Sequence, residues 1–237
     1  LSVLYSDYMQ VEELENLPEV VETATVLRYL ENHGVKEAAI AGGWTRSLLG
    51  AGATSDIDVS YVGDIHYEDA QAILRKALKE INPSNIAVWD VKGIWNAQIA
   101  YGVEHVVDNY LLYYLNSIDS VYLASDGKLH DPTGFGFDDA RTKILRINDY
   151  DVANRVTTPS EEVNVCLENC RRIAKFGWTP TDRTIERLRQ GTVRWSELTS
   201  DEMSYFVNKL AIKYKASERN PAQRVYAEHG WGFIFDL

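Results

Sequence analysis

A chain of 237 residues, 45% hydrophobic and 25% charged, is long enough for one large or two small domains with a packed core. No run approaches the roughly 20 apolar residues that cross a bilayer, and no signal-peptide pattern opens the chain, so a membrane role is not expected and the cytoplasm is. The net charge of −11 is uneven: 24 acidic against 12 basic residues up to Thr157, then 11 against 12, a balance that argues against a basic face gripping a long nucleic-acid backbone.

The chain opens without a methionine, as a trimmed chain would. After Ser6 and Asp7 comes a Glu-rich segment, and Val20, Val21, Ala24, Leu27 and Leu30 recur at helical spacing, closing at Asn32-His33-Gly34. Residues 38–41, Ala-Ala-Ile-Ala, read as a short buried strand that Gly42-Gly43 breaks. Trp44, Leu48 and Leu49 then fit one face of a short helix. A glycine turn opening a helix presents backbone N–H groups to an anion, with the helix dipole adding to the attraction. Taken alone, the glycine pair is more simply a plain turn.

From Asp56 to Val62 the apolar residues alternate, which puts Ile57, Val59 and Tyr61 on one face of a strand and Asp56 and Asp58 on the other. Two carboxylates about 7 Å apart along a strand can converge on one or two hard divalent cations, whose remaining ligands are phosphates or water. A strand with a solvated polar face is the plain alternative.

Together these residues carry a resemblance. Gly42, Gly43, Arg46, Leu48, Leu49, Gly50, Asp56 and Asp58 stand at the spacing of GG-x-V-R-D-x-L-L-G followed by D-x-D. In this the chain resembles the class II tRNA nucleotidyltransferases and bacterial poly(A) polymerases, within the polymerase-β-like nucleotidyltransferases. Thr45 stands where valine is usual, and Ser47 replaces the usual aspartate. The resemblance implies an α+β fold: a nucleotidyltransferase head with a mixed sheet and flanking helices over residues 1–150, then a smaller all-helical domain over residues 158–237. It implies an enzyme that transfers a nucleoside monophosphate, AMP foremost, from an NTP such as ATP to an acceptor hydroxyl, an RNA or tRNA 3′ end first. Gly42, Gly43, Arg46 and Ser47 are the expected nucleotide-binding residues. Asp56 and Asp58 are the expected catalytic carboxylates and Mg²⁺ ligands.

Tyr67 to Ile81 has helical periodicity and ends at Asn82-Pro83. Two apolar segments follow, Ile86 to Val91 and Ile94 to Tyr101, with Lys92-Gly93 between them as a hairpin turn. The resemblance implies a third carboxylate on the strand after the helix, and Asp90 is the candidate; an ordinary strand-end aspartate is the alternative.

Leu115 to Asp119 echoes the family's R-R-D-F-T-I-N-A-L-A-Y segment, with Tyr113-Tyr114-Leu115 where Arg-Arg-Asp is expected. A register with a long insertion would instead bring Asp108 to that acid. Asp126 to Pro132 and Gly134 to Arg146 are similar to D-G-K-L-I-D-P and to a Gly-rich E-D-L turn ending in I-R. Asp131 and Pro132 read as turn-forming scaffold.

Asn148 to Pro159 is polar and turn-rich, the expected domain boundary. Ser160-Glu161-Glu162 suits a helix start, and Val163 to Trp178 resembles the family's neck helix, E-D-x-x-R-x-L-R-x-x-R-F-A-x-x-L-G-F. Glu161, Glu162 and Arg171 match, whereas the two earlier arginines fall at Val165 and Glu168. In the family the acid and the first arginine of this helix read the Watson-Crick edges of CTP and ATP, and Val165 cannot supply that bidentate fork. These departures leave two alternatives open: a divergent member that modifies a protein or small molecule, and a scaffold that binds NTP or RNA without transfer.

Cys166 and Cys170 read as small buried hydrophobes, and Arg171 and Arg172 as partners of Glu168 or solvent, with contact to phosphate as the alternative. Thr181 to Leu188 and Ser200 to Ser217 read as helices separated by Gly191 and Trp195, with Asn220-Pro221 starting a last short one. Asp182, Glu186, Arg187 and Arg189 suit a solvated face, and Gly230 to Leu237 an aromatic tail packed back on the body. The five histidines lack metal-ligand spacing, and nothing sets an oligomeric state.

Overall fold

The computed structural model describes residues 10–52, 56–84, 88–93, 116–148, 158–214 and 216–235. Residues 1–9, 94–101, Asp108 and residues 113–115 lie outside them, as does Ser55. The chain divides into two compact units, Leu1–Thr142 and Lys143–Leu237.

In the first unit, helices α1 (Val11–Glu15) and α2 (Pro18–Asn32) precede β1 (Glu37–Ala41), α3 (Gly43–Leu48), β2 (Asp56–Val62), α4 (Tyr67–Ile81) and β3 (Val88–Gly93). After these come α5 (Ser117–Ser120), β4 (Tyr122–Ala124), β5 (Leu129–His130) and α6 (Gly136–Thr142). The strands form one mixed sheet in the order β3-β2-β1-β4-β5. β1 is antiparallel to β2, Ile40 opposite Val59, and to β4, Ile40 opposite Leu123. β3 runs parallel to β2, which requires a crossover, and α4 supplies it. Because β1 has a strand on each side, its residues 38–41 are all buried.

Ile57, Val59 and Tyr61 face the core as their alternation requires, meeting Leu27 and Leu30 of α2 and Ala70 and Leu74 of α4. Three details differ from the sequence reading. Val21 is 52% exposed, and Thr23 and Val26 are buried instead; the inward stripe of α2 passes through Val20, Ala24, Leu27 and Leu30 and leaves Val21 on its solvent flank. The Glu-rich segment forms α1, where Glu15 accepts from Lys128 Nζ and from the Leu129 amide, both at 2.9 Å. Lys92-Gly93 is strand rather than hairpin turn, because β2 stays a parallel partner as far as Ser60 and Tyr61, opposite Lys92 and Gly93.

The second unit opens with β6 (Ile144–Leu145), followed by α7 (Pro159–Phe176), β7 (Thr179–Pro180), α8 (Asp182–Trp195), α9 (Ser200–Lys213), α10 (Ala216–Glu228) and a 3₁₀ turn at Gly232–Phe235. Its helices are joined by a two-residue parallel pair, β6 with β7, in a unit expected to be wholly helical. α7 starts at a reciprocal capping box between Thr158 and Glu161, two residues before Ser160, and stops at Gly177 with φ 67°. Cys166, Leu167, Cys170, Leu188, Phe206, Tyr226 and Trp231 form the core.

Gly191 lies inside α8 rather than ending it. A Cβ there would come within 2.3 Å of Cys166 Sγ, so the glycine is the residue that lets α8 lie against α7. α10 begins a turn ahead of Pro221, which it accommodates at the loss of one amide hydrogen bond. The tail does pack back: Trp231 is fully buried and its Nε1 donates to the Leu188 carbonyl at 2.8 Å. Among the described residues no helix is long and apolar enough to cross a membrane.

Candidate active site

At the end of β1 the backbone turns through Gly42, whose φ of 74° and ψ of −117° suit glycine alone. The Gly42 amide donates to the Asp119 carbonyl at 3.1 Å. The Thr45 hydroxyl donates to the Val121 carbonyl at 2.9 Å, a tie that the family's usual valine could not make. Within α3, the amides of Gly43 and Trp44 occupy the first turn, where helical N–H groups have no partner inside the helix.

Arg46, expected to meet phosphate, is buried and forms an ion pair with the Asp119 carboxylate. Asn116 Nδ2 donates to the other oxygen of Asp119 at 2.9 Å, and the Asp119 amide donates back to Asn116 Oδ1 at 3.0 Å. Ser117 donates to Asp139 Oδ2 at 2.6 Å. Thr45, Asn116, Ser117, Asp119 and Ser120 are fully buried, so a polar network lies beneath the glycine turn. Ser47 is half-buried on α3.

The sheet brings the carboxylates to the same end. One residue beyond the Ile40–Val59 pair, β1 runs out toward Gly42 and β2 carries Asp58. Asp56 is exposed and Asp58 half-buried. Asp90 stands in register with Asp58 on the neighbouring parallel strand, at the ~4.8 Å separation of paired strands. The Tyr67 hydroxyl donates to Asp90 Oδ1 at 3.2 Å, and the Val91 amide reaches the same oxygen at 3.0 Å. Burial and then the charge of Asp90 raise the Tyr67 phenol above its ordinary value.

Among the described residues no group of three His, Cys, Asp or Glu side chains is placed to hold a metal ion. Oxygen donors two at a time suit a hard divalent cation that completes its shell with phosphate and water. Asp131 is scaffold as expected: its carboxylate accepts from the Thr133 hydroxyl at 2.7 Å and the Gly136 amide at 2.7 Å.

On α7, Val165 packs against the apolar core. Glu168 is buried and gathers Arg171 at 2.8 Å, Lys209 at 3.1 Å and Arg172 at 3.5 Å. Arg187 is not on a solvated face: its guanidinium grips Glu162 bidentately at 2.9 and 3.0 Å and donates to the Asn148 carbonyl at 2.7 Å. Cys166 and Cys170 are free, buried thiols, in keeping with their reading as small hydrophobes.

Sequence reasoning placed Asn116 and Asp119 in the segment that echoes the family without giving either a role, and gave Tyr67 none beyond starting a helix. Arg46 carried the clue to Asp119: a buried guanidinium requires a counter-charge, and the adjacent position holds Ser47 instead of an acid.

Among the described residues the first unit is a mixed five-stranded sheet with flanking helices and the second is mainly helical. No protein-family model matches the chain, and no curated protein is similar to it in sequence. Among solved structures it is similar to a CCA-adding enzyme in complex with CTP, at 15% identity and a TM-score of 0.66, covering 97% of this chain and 57% of that one. A tRNA nucleotidyltransferase complexed with a primer tRNA and an incoming ATP analogue is 13% identical with a TM-score of 0.63, over 89% of this chain and 62% of that one. The Thermotoga maritima CCA-adding enzyme complexed with tRNA is 15% identical with a TM-score of 0.61, over 95% and 56%. The chain thus shares the fold of the CCA-adding tRNA nucleotidyltransferases and spans a little over half of their length.

Proposed function

We propose that the chain is a metal-dependent nucleotidyltransferase that moves a nucleoside monophosphate, AMP foremost, from an NTP to an acceptor hydroxyl, with an RNA or tRNA 3′ end as the leading acceptor. The observation that carries this reading is the sheet end at which β1 runs into Gly42-Gly43 while β2 and β3 bring Asp58 and Asp90 into register. Solved relatives holding CTP, an ATP analogue and tRNA support the same substrates.

In this reading the Gly42-Gly43 turn, Arg46 and Ser47 receive the phosphates. Asp56 and Asp58, with Asp90 beside them, would hold Mg²⁺. That ion, when bound, supplies charge neutralisation at the α-phosphate and the leaving pyrophosphate. The chain's own share is positioning: the first-turn amides orient the phosphates, and the strand carboxylates fix the donors toward the acceptor hydroxyl. The compartment consistent with such a substrate is the cytoplasm.

Val165 and Glu168 favour a second reading of the acceptor. An apolar side chain and an acid held by three cations stand where the family places arginines, which counts against selection of C and A by the acid and first arginine of that helix. A divergent enzyme acting on a protein or small-molecule hydroxyl fits that loss.

Incubation with Mg²⁺, each labelled NTP and either total RNA or lysate separates the readings. Label in RNA supports the first, label in protein the second, and no transfer alongside Mg²⁺-dependent ATP binding leaves a nucleotide-binding scaffold. Pyrophosphate release by Asp58→Ala at the wild-type rate would sink the catalytic assignment.

A further inference from the structure

We propose that Asp119 is the positioning residue of the phosphate cradle, an inference that rests on the nucleotidyltransferase reading. Its main-chain carbonyl accepts the Gly42 amide at 3.1 Å, and its carboxylate is ion-paired with Arg46. One fully buried residue therefore holds both parts of the cradle, the turn through its backbone and the guanidinium through its side chain. Asn116 fixes Asp119 in turn, donating from Nδ2 at 2.9 Å and accepting its amide at 3.0 Å.

Burying a charge pair is costly, and a well-packed apolar pair of similar volume fills such a space at no loss of stability. The pair here instead gives direction. Arg46 is four residues along a six-residue helix from Gly42, and its own amide donates to the Gly42 carbonyl at 2.9 Å, so turn, helix and guanidinium move as one body pinned at Asp119. Phosphate recognition by backbone amides tolerates little displacement: a misplacement of about 1 Å costs on the order of a hundredfold in a positioned reaction.

The test measures Mg²⁺·ATP and AMP affinity by calorimetry, with thermal melting, for the wild type, Asp119→Asn, Asn116→Ala and Asp139→Asn. Asp139 is likewise a buried aspartate, bonded to the Ser117 hydroxyl, and serves as the control. Asp119→Asn is expected to lose ATP affinity by at least about tenfold, the scale of one misdirected charge-assisted contact. AMP affinity falls less, because fewer phosphates depend on the cradle, and Asp139→Asn binds ATP as the wild type does at a comparable melting loss. Should Asp119→Asn fail to fold, Asn116→Ala decides, since it loosens the carboxylate while leaving the charge pair balanced. A folded Asp119→Asn or Asn116→Ala that binds ATP like the wild type, or an equal loss in Asp139→Asn, overturns the proposal. A wild type that binds no NTP overturns the nucleotidyltransferase reading itself, whereas normal wild-type binding with unaffected variants removes only the role of Asp119.

Discussion

Asp58 on β2 and Asp90 on β3 stand opposite one another in a parallel pair, so two acids that are 32 positions apart in the chain become neighbours on one sheet face. A parallel register holds them side by side, without a turn between them whose flexing could separate them. Asp58→Asn is expected to lower turnover on the order of a hundredfold or more, the scale of losing a group that supports transition-state charge. Asp90→Asn should reduce turnover as well, and a variant still working at the wild-type rate in a pyrophosphate-release assay would show that Asp90 is an ordinary strand residue.

Tyr67 opens α4 and donates to Asp90 at 3.2 Å. Hydrogen bonds that orient a metal-binding carboxylate contribute about 10–100-fold in metal affinity or activity when removed. Tyr67→Phe, which keeps the ring and removes only the hydroxyl, is therefore expected to raise the Mg²⁺ concentration for half-maximal activity within that range while leaving the melting temperature near wild type. An unchanged Mg²⁺ curve would leave the tyrosine with no part in the site.

The sequence exposes what depends on near neighbours and hides what depends on distant ones. Alternation at Ile57, Val59 and Tyr61 and the helical period of Tyr67–Ile81 are local, and both elements occur where their spacing puts them. The Gly42-Gly43 turn and the two aspartates were legible for the same reason. Lys92-Gly93 misleads because Gly is a turn former and its parallel partner, Tyr61, is remote in sequence. The Arg46–Asp119 pair spans 73 positions, and no local pattern marks an aspartate as the acid a buried arginine needs.

Gly191 illustrates the same limit and gives a stability prediction. Its absent side chain makes room for Cys166 Sγ, 2.3 Å from where a Cβ would stand, with Trp231 at 3.3 Å. Gly191→Ala gains helix propensity but overpacks a closed contact, so a net destabilisation of about 1–3 kcal/mol is expected in a urea titration. The double variant Gly191→Ala with Cys166→Ala, which removes the sulfur, should recover part of that loss.

Burial raises the thiols of Cys166 and Cys170 above their ordinary value, in both cases chiefly because the interior disfavours the thiolate. Since the thiolate is the reactive form, neither should take up iodoacetamide in the folded protein at pH 8. Both should react once urea unfolds the second unit, and mass spectrometry distinguishes the two states by the added mass.

His229 is expected to contribute to the loss of stability on the acid side. It is 7% exposed at the end of α10, where its amide donates to the Tyr226 carbonyl at 3.2 Å and Trp231 follows in the core. Burial lowers its pKa below the ordinary 6.5, opposed by nearby Glu228, while Arg189 pushes in the same direction as burial. A folded-state value below the unfolded one means that the unfolded chain binds the proton more readily. The stability from keeping this ring neutral is therefore fully present above the unfolded value and is lost as pH falls from about 6.5 through the folded value. The urea midpoint is expected to decline over that window, and His229→Gln, which keeps a polar group of similar size without a titrating ring, should flatten the decline. A midpoint that falls equally in both proteins would assign the acid sensitivity to carboxylates instead.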